Sequence, residues 1–320
     1  MTALVTGAAG FIGSTLVRML TEAGTDVIGI DNLDPYYDVA WKERNLQAVA
    51  GDRFRFHRAD LLTAPLPELL DEVDVVYHLA GRPGVRGSWG DEFRLYSSAN
   101  IDATQHLLEA VRDAPSRPRV VYASSSSVYG DAETYPTHEL LLPRPRSPYG
   151  VTKLAAEHLC RLYAANFDVH TVSLRFFTVY GPGQRPDMAF TRFLSAAVER
   201  TQIPLYGSGE QVRDFTYVDD VVRAVIRAGR GDTPSGAVYN VAGGGAHSVN
   251  EVLGMVSELC GSELLIDRKP ASQGDVMRTS ADTTAITAAL GWSPSVALRD
   301  GLTRQFEWIT GSLLEAKSPR

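Results

Sequence analysis

Tyr149 and Lys153 stand four positions apart and follow Ser147-Pro148, a pair suited to the first turn of a helix. On a helix that spacing is about one turn, or ~6 Å of rise, so both side chains project from one face. A phenol with its ordinary pKa of ~10 is no base near neutral pH, but an adjacent ammonium favours the phenolate. The expectation is therefore a tyrosine base acidified by Lys153. Upstream, Ser124-Ser125-Ser126-Ser127 follows the apolar run Val120 to Ala123. Hydroxyls at the carboxyl end of a buried strand can orient a substrate alcohol.

A second group of residues suits an anion. The first apolar run leads into Thr6-Gly7-Ala8-Ala9-Gly10-Phe11-Ile12-Gly13, a GxxGxxG turn that opens a helix. Such glycines permit a tight turn and close backbone approach to a pyrophosphate, while the helix N-terminus offers N–H groups. The next apolar run ends at Asp31, whose carboxylate can accept from a ribose diol and would repel a 2'-phosphate. A dinucleotide site selective for NAD follows, with Asp60 after the third run near the adenine edge. The seven histidines and two cysteines show no metal-ligand spacing, and no metal is expected.

These residues need a frame. Strand-length apolar runs at Ala3 to Thr6, Asp26 to Ile30, Phe54 to His57, Val73 to Leu79, Val120 to Ala123 and Val169 to Phe176 alternate with helices near 12–23, 92–113 and 148–167. The alternation predicts an α/β fold, a Rossmann-type doubly wound parallel sheet with a smaller α/β C-terminal substrate domain. Val238 to Val241 reads as a buried strand that rejoins the sheet. The expected division is 1–176 plus about 213–247 for the dinucleotide domain, and 177–212 plus about 248–320 for the other. At 320 residues and a formal charge of −7, without a basic run, the chain is not expected to bind nucleic acid. No stretch approaches the ~18 apolar residues of a membrane helix, and no signal core opens the sequence, so the expected location is cytoplasmic.

The glycine turn, Asp31, the serine run and Tyr149/Lys153, in this order, resemble the extended short-chain dehydrogenase/reductase family of nucleotide-sugar epimerases and dehydratases. His78 to Trp89, Arg175 to Pro182 and Arg185 to Phe190 are most similar to the bacterial UDP-glucuronate 4-epimerases. The resemblance implies an NAD-dependent isomerase in which Ser125 holds the sugar 4-hydroxyl, Tyr149 takes its proton and Lys153 grips the nicotinamide ribose. Its cofactor wall would be Gly7, Gly10, Phe11, Ile12, Gly13, Asp31, Asn32, Asp60, Leu61, Leu79, Ala80, Gly81, Asn100, Ala123, Tyr149, Lys153 and Phe176.

At the substrate end, Tyr206 would pack on uracil, Arg213 meet a phosphate and Asp275 lie near the uridine ribose. Arg86, Arg185, Arg192 and Arg278 are further candidates for the diphosphate or a carboxylate, since guanidinium binds two oxygens at once. The family's dehydratases carry an Asp-Glu pair where this chain has Ser126 and Ser127. Neither serine can act as a carboxyl acid, which disfavours elimination. Ser126, Ser127 and Thr178 are instead typed to hold a uronate carboxylate through hydroxyl donors. A neutral UDP-hexose epimerase is the alternative; a lyase and a non-catalytic NAD sensor stand further off. The resemblance also implies a homodimer through helices 92–113 and 148–167.

The remaining features read as structural. Asp219 and Asp220 are expected to cap the following helix. Trp41-Lys42-Glu43-Arg44 reads as a surface helix over the adenosine side, His57 and His78 as hydrogen-bonded core histidines, Cys160 and Cys260 as buried thiols, and Lys317-Ser318-Pro319-Arg320 as a fraying tail.

Overall fold

The first half of the chain alternates strand and helix. It runs β1 (Thr2–Thr6), α1 (Phe11–Glu22), β2 (Asp26–Asp31), α2 (Val39–Ala48), β3 (Phe54–Arg58), α3 (Leu66–Leu70), β4 (Val75–His78), α4 (Phe93–Ser97), α5 (Ala103–Asp113), β5 (Arg119–Ser125), α6 (Pro148–Phe167) and β6 (Thr171–Phe176). Then follow β7 (Val179–Tyr180), α7 (Ala189–Glu199), β8 (Ile203–Tyr206), β9 (Val212–Asp214), β10 (Thr216–Tyr217), α8 (Val218–Arg230), β11 (Ala237–Val241), β12 (Ala246–Ser248), α9 (Val249–Cys260), β13 (Ile266–Lys269), α10 (Thr284–Leu290) and α11 (Leu298–Lys317). The computed structural model describes residues 1–270 and 274–317, with side chains to residue 311. Of the expected fraying tail, residues 318–320 lie outside the described residues.

Among the described residues, seven strands form one sheet in the order β11-β6-β5-β4-β1-β2-β3, all paired in parallel. The order reverses at β1, between β2 and β4, and such a reversal opens a crevice at the carboxyl ends of the strands. Alternation along each strand feeds two cores. Ala3, Val5, Val75, Tyr77 and Val121 face α1 and α8, whereas Leu4, Val76, Val120 and Tyr122 face α5 and α6. On α1 the stripe Leu16, Val17 and Leu20 is fully buried, and truncating such a leucine to alanine costs about 2–5 kcal/mol.

Helix α6 begins where the sequence places it: the Ser147 hydroxyl accepts from Gly150 N at 3.1 Å, and Pro148 opens the first turn. It ends at Asp168, whose φ of 55° breaks the helix. The single helix expected over 92–113 is instead interrupted, since Ser98–Asp102 forms a π-helical turn between α4 and α5. That turn directs Asn100, 1% exposed, into the interior.

One hydrogen-bonded chain ties the strand ends to this turn. Thr104 Oγ1 donates to Asn100 O (2.7 Å), so it must accept from His78 Nε2 (2.9 Å); His78 Nδ1 then accepts from Thr6 Oγ1 (2.8 Å), which accepts from Ala80 N (3.1 Å). His78 is thus a fully buried, doubly bonded core histidine, as expected. His57, half-buried on the edge strand β3, differs: its Nε2 is buried without a hydrogen-bond partner among the described residues.

Two further expectations are corrected. Tyr217 occupies the N-cap of α8, and Asp219 and Asp220 fall inside the first turn. Asp220, wholly buried, accepts from Ser295 N (3.0 Å) and Val296 N (3.1 Å) and pairs with Arg223, so it binds the segment before α11, whose N–H groups have no other use. Asp219 reaches Arg18 at 3.6 Å. Of the two thiols, Cys160 is buried but Cys260, at the end of α9, is only half-buried.

Tyr180, Phe190, Leu194, Val252 and Leu302 build a further core among α7, α9, α11 and the short pairs β8–β13, β9–β12 and β7–β10. Helix α11 reaches back into the loop after β7: Gln305 Oε1 accepts from Gly181 N (3.0 Å), and its amide donates to Gln184 Oε1 (2.9 Å). Among the described residues, no helix is long and apolar enough to cross a membrane.

Burial lowers the His78 pKa from 6.5 to about 3, with Lys153 nearby adding to the effect. Between those pH values the unfolded chain binds a proton that the folded chain refuses, so stability falls as pH falls, by up to about 1.4 kcal/mol per pH unit. Urea unfolding across that window should show a shallower pH slope for His78→Gln than for the parent. An unchanged slope would refute the assignment.

Candidate active site

A cavity of about 560 Å³ opens at the strand carboxyl ends where the order reverses. Gly7, Gly10, Phe11, Ile12, Gly13, Asp31, Asn32, Asp60, Leu61, Leu79, Ala80, Gly81, Ala123, Tyr149, Lys153 and Phe176 line it, and so do Ser125, Ser126, Ser127, Thr178 and Arg185. Asn100 does not reach the wall. It stands behind it: its Oδ1 accepts from Arg82 N (2.7 Å), while Nδ2 donates to Arg82 O (3.1 Å) and Thr152 Oγ1 (2.9 Å). Thr152 in turn donates to Tyr149 O at 2.8 Å, so the π-helical turn braces the helix that carries the tyrosine.

The glycine turn is a cradle with no room for side chains. A Cβ on Gly13 would lie 2.0 Å from Gly7 O, and one on Gly7, at φ +73°, would lie 2.9 Å from Ala80 N. No side chain caps the first turn of α1, so its N–H groups face the cavity side of the turn. The floor therefore fits a pyrophosphate, and the same cavity runs on to include Asp60 and Tyr149 in its lining.

Asp31 is held on three sides. It accepts from Ala9 N (3.2 Å) and Leu33 N (2.8 Å) and pairs with Lys42 at 3.3 Å. Lys42 is a correction to the sequence reading, because only 8% of it is exposed; its stem turns under α2 to meet a buried carboxylate, which a solvated lysine could not. Beside Asp31, Asn32 Nδ2 donates to Asp60 Oδ2 at 2.8 Å, which joins the ends of β2 and β3. Tyr36, Tyr37 and Arg82 also line the cavity, unforeseen from sequence. Arg82 sits 5.1 Å from the Tyr36 ring and pairs with Asp34 at 3.2 Å. The usable signal was the aromatic pair Tyr36-Tyr37 in the loop that follows β2.

At the other end, Lys153 Nζ donates to Ala123 O at 3.0 Å, and burial lowers its pKa to about 8. Tyr149 is half-buried, and desolvation raises its pKa above 10.0, while a hydrogen bond with Ser125 and the charge of Arg185 pull it down. The expected acidification by Lys153 is thus not what this protein alone provides: the ammonium is committed to Ala123 O, and Arg185 is the charge that acts on the phenol. Ser125 Oγ also accepts from Ser127 N at 3.1 Å. The arrangement holds the Tyr149 phenol, the Lys153 ammonium and the hydroxyls of Ser125, Ser126 and Ser127 at the same end of the cavity.

The remaining substrate candidates do not line this cavity. Arg86, Tyr206, Arg213 and Asp275 gather at a second cluster: Arg86 pairs with Asp275 (2.9 Å) and lies over the Tyr206 ring (4.1 Å). Burial lowers the pKa of Arg213 there, against Asp275, which raises it. Arg278, which bridges to Val212 beside Arg213, is exposed and lies over Tyr135 at 5.1 Å. Arg192 is half-buried on α7. Arg185 is held by Asp187 through two bonds of 2.9 Å. No group of three His, Cys, Asp or Glu residues among the described residues could hold a metal.

Comparison with known proteins matches residues 3–242 to the NAD dependent epimerase/dehydratase family. A solved UDP-glucuronic acid 4-epimerase from Bacillus cereus, in complex with UDP-glucuronic acid and NAD, superposes with a TM-score of 0.93 at 41% identity, covering 98% of this chain and 100% of that one. The UDP-glucuronate 4-epimerase of Thermodesulfobacterium geofontis is 35% identical, over 98% of each chain. An uncharacterized UDP-glucose epimerase of Bacillus subtilis is 40% identical over 97% of this chain and 98% of its own.

Helix propensity alone makes Gly13→Ala stabilising by about 1 kcal/mol. The 2.0 Å approach to Gly7 O reverses the sign. Chemical denaturation should show Gly13→Ala destabilised by roughly 1–3 kcal/mol, as overpacking predicts; a stabilised variant would mean the turn is looser than described.

Proposed function

The chain belongs to the NAD dependent epimerase/dehydratase family, and on that premise we propose that it is a UDP-glucuronate 4-epimerase, an isomerase that interconverts UDP-glucuronate and UDP-galacturonate. The observation that carries this reading is the wall facing Tyr149. Ser125, Ser126, Ser127 and Thr178 line it, whereas the carboxylates among the described lining residues, Asp31, Asp34 and Asp60, follow β2 and β3 at the far end.

NAD is the proposed cofactor, held by the glycine turn, Asp31 with Asn32 and Asp60, and Lys153. When bound it supplies a hydride acceptor and donor at the sugar C4 and a positive ring beside Tyr149. Tyr149 Oη takes the proton of the C4 hydroxyl and returns it, while Ser125 Oγ holds that hydroxyl in line. Tyr149 starts with a raised pKa, so added positive charge is what brings the phenol towards a working base. Arg185 and Ser125 already act in that direction.

A uronate oxidised at C4 is a β-keto acid, which loses carbon dioxide when its carboxylate bond aligns with the carbonyl π system. Ser126, Ser127 and Thr178 hold the carboxylate out of that alignment and offer C5 no acid, so carbon is retained. Arg185, which lines the same cavity, would assist that grip or meet the diphosphate. Tyr206, Arg213, Arg86 and Asp275, with Arg192 and Arg278 further out, form the proposed UDP subsite, where substrate phosphates would replace part of the Arg86–Asp275 pairing. The likeness to a named UDP-glucose epimerase favours one second reading, a neutral UDP-hexose substrate.

We further propose that residues 1–176 plus about 213–247 form the cofactor domain, that the protein is a cytoplasmic homodimer, and that exposed Phe93, Leu95, Val151, Leu162 and Phe167 on α4 and α6 contribute to its interface.

Tyr149→Phe should fold, retain NAD and lose about 10²–10⁴ of turnover, the usual worth of a general base. Proton NMR of the parent with UDP-glucuronate should show UDP-galacturonate as the product. Mainly UDP-pentose would sink the carboxylate grip, and faster turnover of UDP-glucose would select the neutral reading.

A further inference from the structure

Behind the serine run lies a buried ion pair that the proposed chemistry does not use. Glu157 of α6 and Arg175 of β6 are each only 5% exposed, and both oxygens of the carboxylate accept from the guanidinium. Taking two charges out of water often costs more than their attraction returns, so apolar residues of similar size can serve a fold at least as well. Stability therefore gives no reason for the pair, but the groups it holds do.

It holds the serine run at both ends. At the near end, Ser124 Oγ donates to Glu157 Oε2 (2.8 Å), the oxygen that also accepts from Arg175 Nε (3.0 Å). At the far end, Arg175 Nη1 donates to Tyr129 Oη (2.8 Å), and that hydroxyl donates to Asn240 Oδ1 of β11 (2.8 Å). Ser124, Tyr129, Glu157, Arg175 and Asn240 are all buried. Between the two anchors, Ser125, Ser126 and Ser127 line the cavity as β5 passes into a short turn, Ser126–Val128, closed by Tyr129 N donating to Ser126 O (3.1 Å). Tyr149, Lys153 and Glu157 stand on successive turns of α6, so the helix that carries the phenol also fixes the hydroxyls beside it.

We propose that Glu157 and Arg175 are positioning residues for carbon retention: they set Ser126 and Ser127 so that the uronate carboxylate stays out of line with the C4 ketone. This rests on the reading of the protein as a UDP-glucuronate 4-epimerase. Glu157 and Arg175 do not line the cavity themselves; one acts through Ser124 and the other through Tyr129. When the run shifts, the C5–C6 bond of the keto intermediate aligns with the carbonyl π system and breaks. Its electron pair enters the C4 enolate, carbon dioxide leaves, C5 takes a proton from water, and hydride return to C4 gives a UDP-pentose.

The test is proton NMR of the products formed from UDP-glucuronate by the purified full chain. Glu157→Leu with Arg175→Met removes both charges at similar volume, so thermal unfolding should show a protein as stable as the parent or more so. Its ratio of UDP-pentose to UDP-galacturonate should rise at least tenfold. Tyr129→Phe keeps the ring and the ion pair and removes one hydroxyl; a smaller rise in the same ratio is expected, and this variant decides the matter if the double variant does not fold. A folded double variant whose ratio equals the parent's, or in its absence such a Tyr129→Phe, overturns the proposal even where total turnover falls, because a merely structural pair slows the enzyme without changing what leaves it. A parent that itself yields mainly UDP-pentose sinks the carboxylate grip, and with it this proposal. A parent that turns over no UDP-glucuronate overturns the proposed function as well.

Discussion

The site depends on a hydrogen-bonded chain whose donors can point only one way. It begins at Ala80 N, passes through Thr6, His78 and Thr104, and reaches the carbonyl of Asn100. The side chain of Asn100 continues it through Thr152 to the carbonyl of Tyr149. Because every member donates or accepts in a fixed sense, the ends of β1 and β4, the π-helical turn and the start of α6 are locked in one mutual register. Reversing one hydroxyl would leave a buried donor unpaired, at a cost of about 1–3 kcal/mol. The glycine turn and the phenol are thereby set at a common distance without touching each other.

That rigidity explains how the cavity tolerates groups placed against their intrinsic preferences. Burial raises the pKa of Tyr149 and lowers that of Lys153. Both shifts oppose the charged forms that catalysis calls for. Such a site is poised instead of charged, and what enters it completes its electrostatics. The same logic runs at the adenosine end, where Asp31 and Lys42 cancel and leave a wall of hydrogen-bonding groups without net charge.

Much of this was legible in the sequence. The strands were visible because burial on both faces of a parallel sheet makes continuous apolar runs, and α6 because Ser147-Pro148 marks its start locally. The serine run and the glycine turn were legible as strand ends for the same reason, since each directly follows an apolar run. What was not legible depends on partners distant in sequence. The π-helical turn leaves the apolar pattern of 92–113 unbroken. Lys42 looks solvated until Asp31, eleven positions earlier, is brought under it by the β2–α2 connection. Asp220 reads as a cap until the segment at Ser295 arrives. Of the arginines expected at the substrate end, Arg185 lines the cavity while Arg86 and Arg213 sit in another cluster, because Arg86 finds its partner in Asp275, 189 positions along the chain.

Helix α11 adds a consequence of chain order. Every residue of the phosphate cradle and the tyrosine helix is translated before position 177, but the loop bearing Arg185 is pinned by Gln305, close to the end of the chain. Synthesis therefore emits that loop 124 positions before the side chain that fastens it. Until α11 docks, the backbone of Gly181 lacks the acceptor that holds the sugar-facing wall in place.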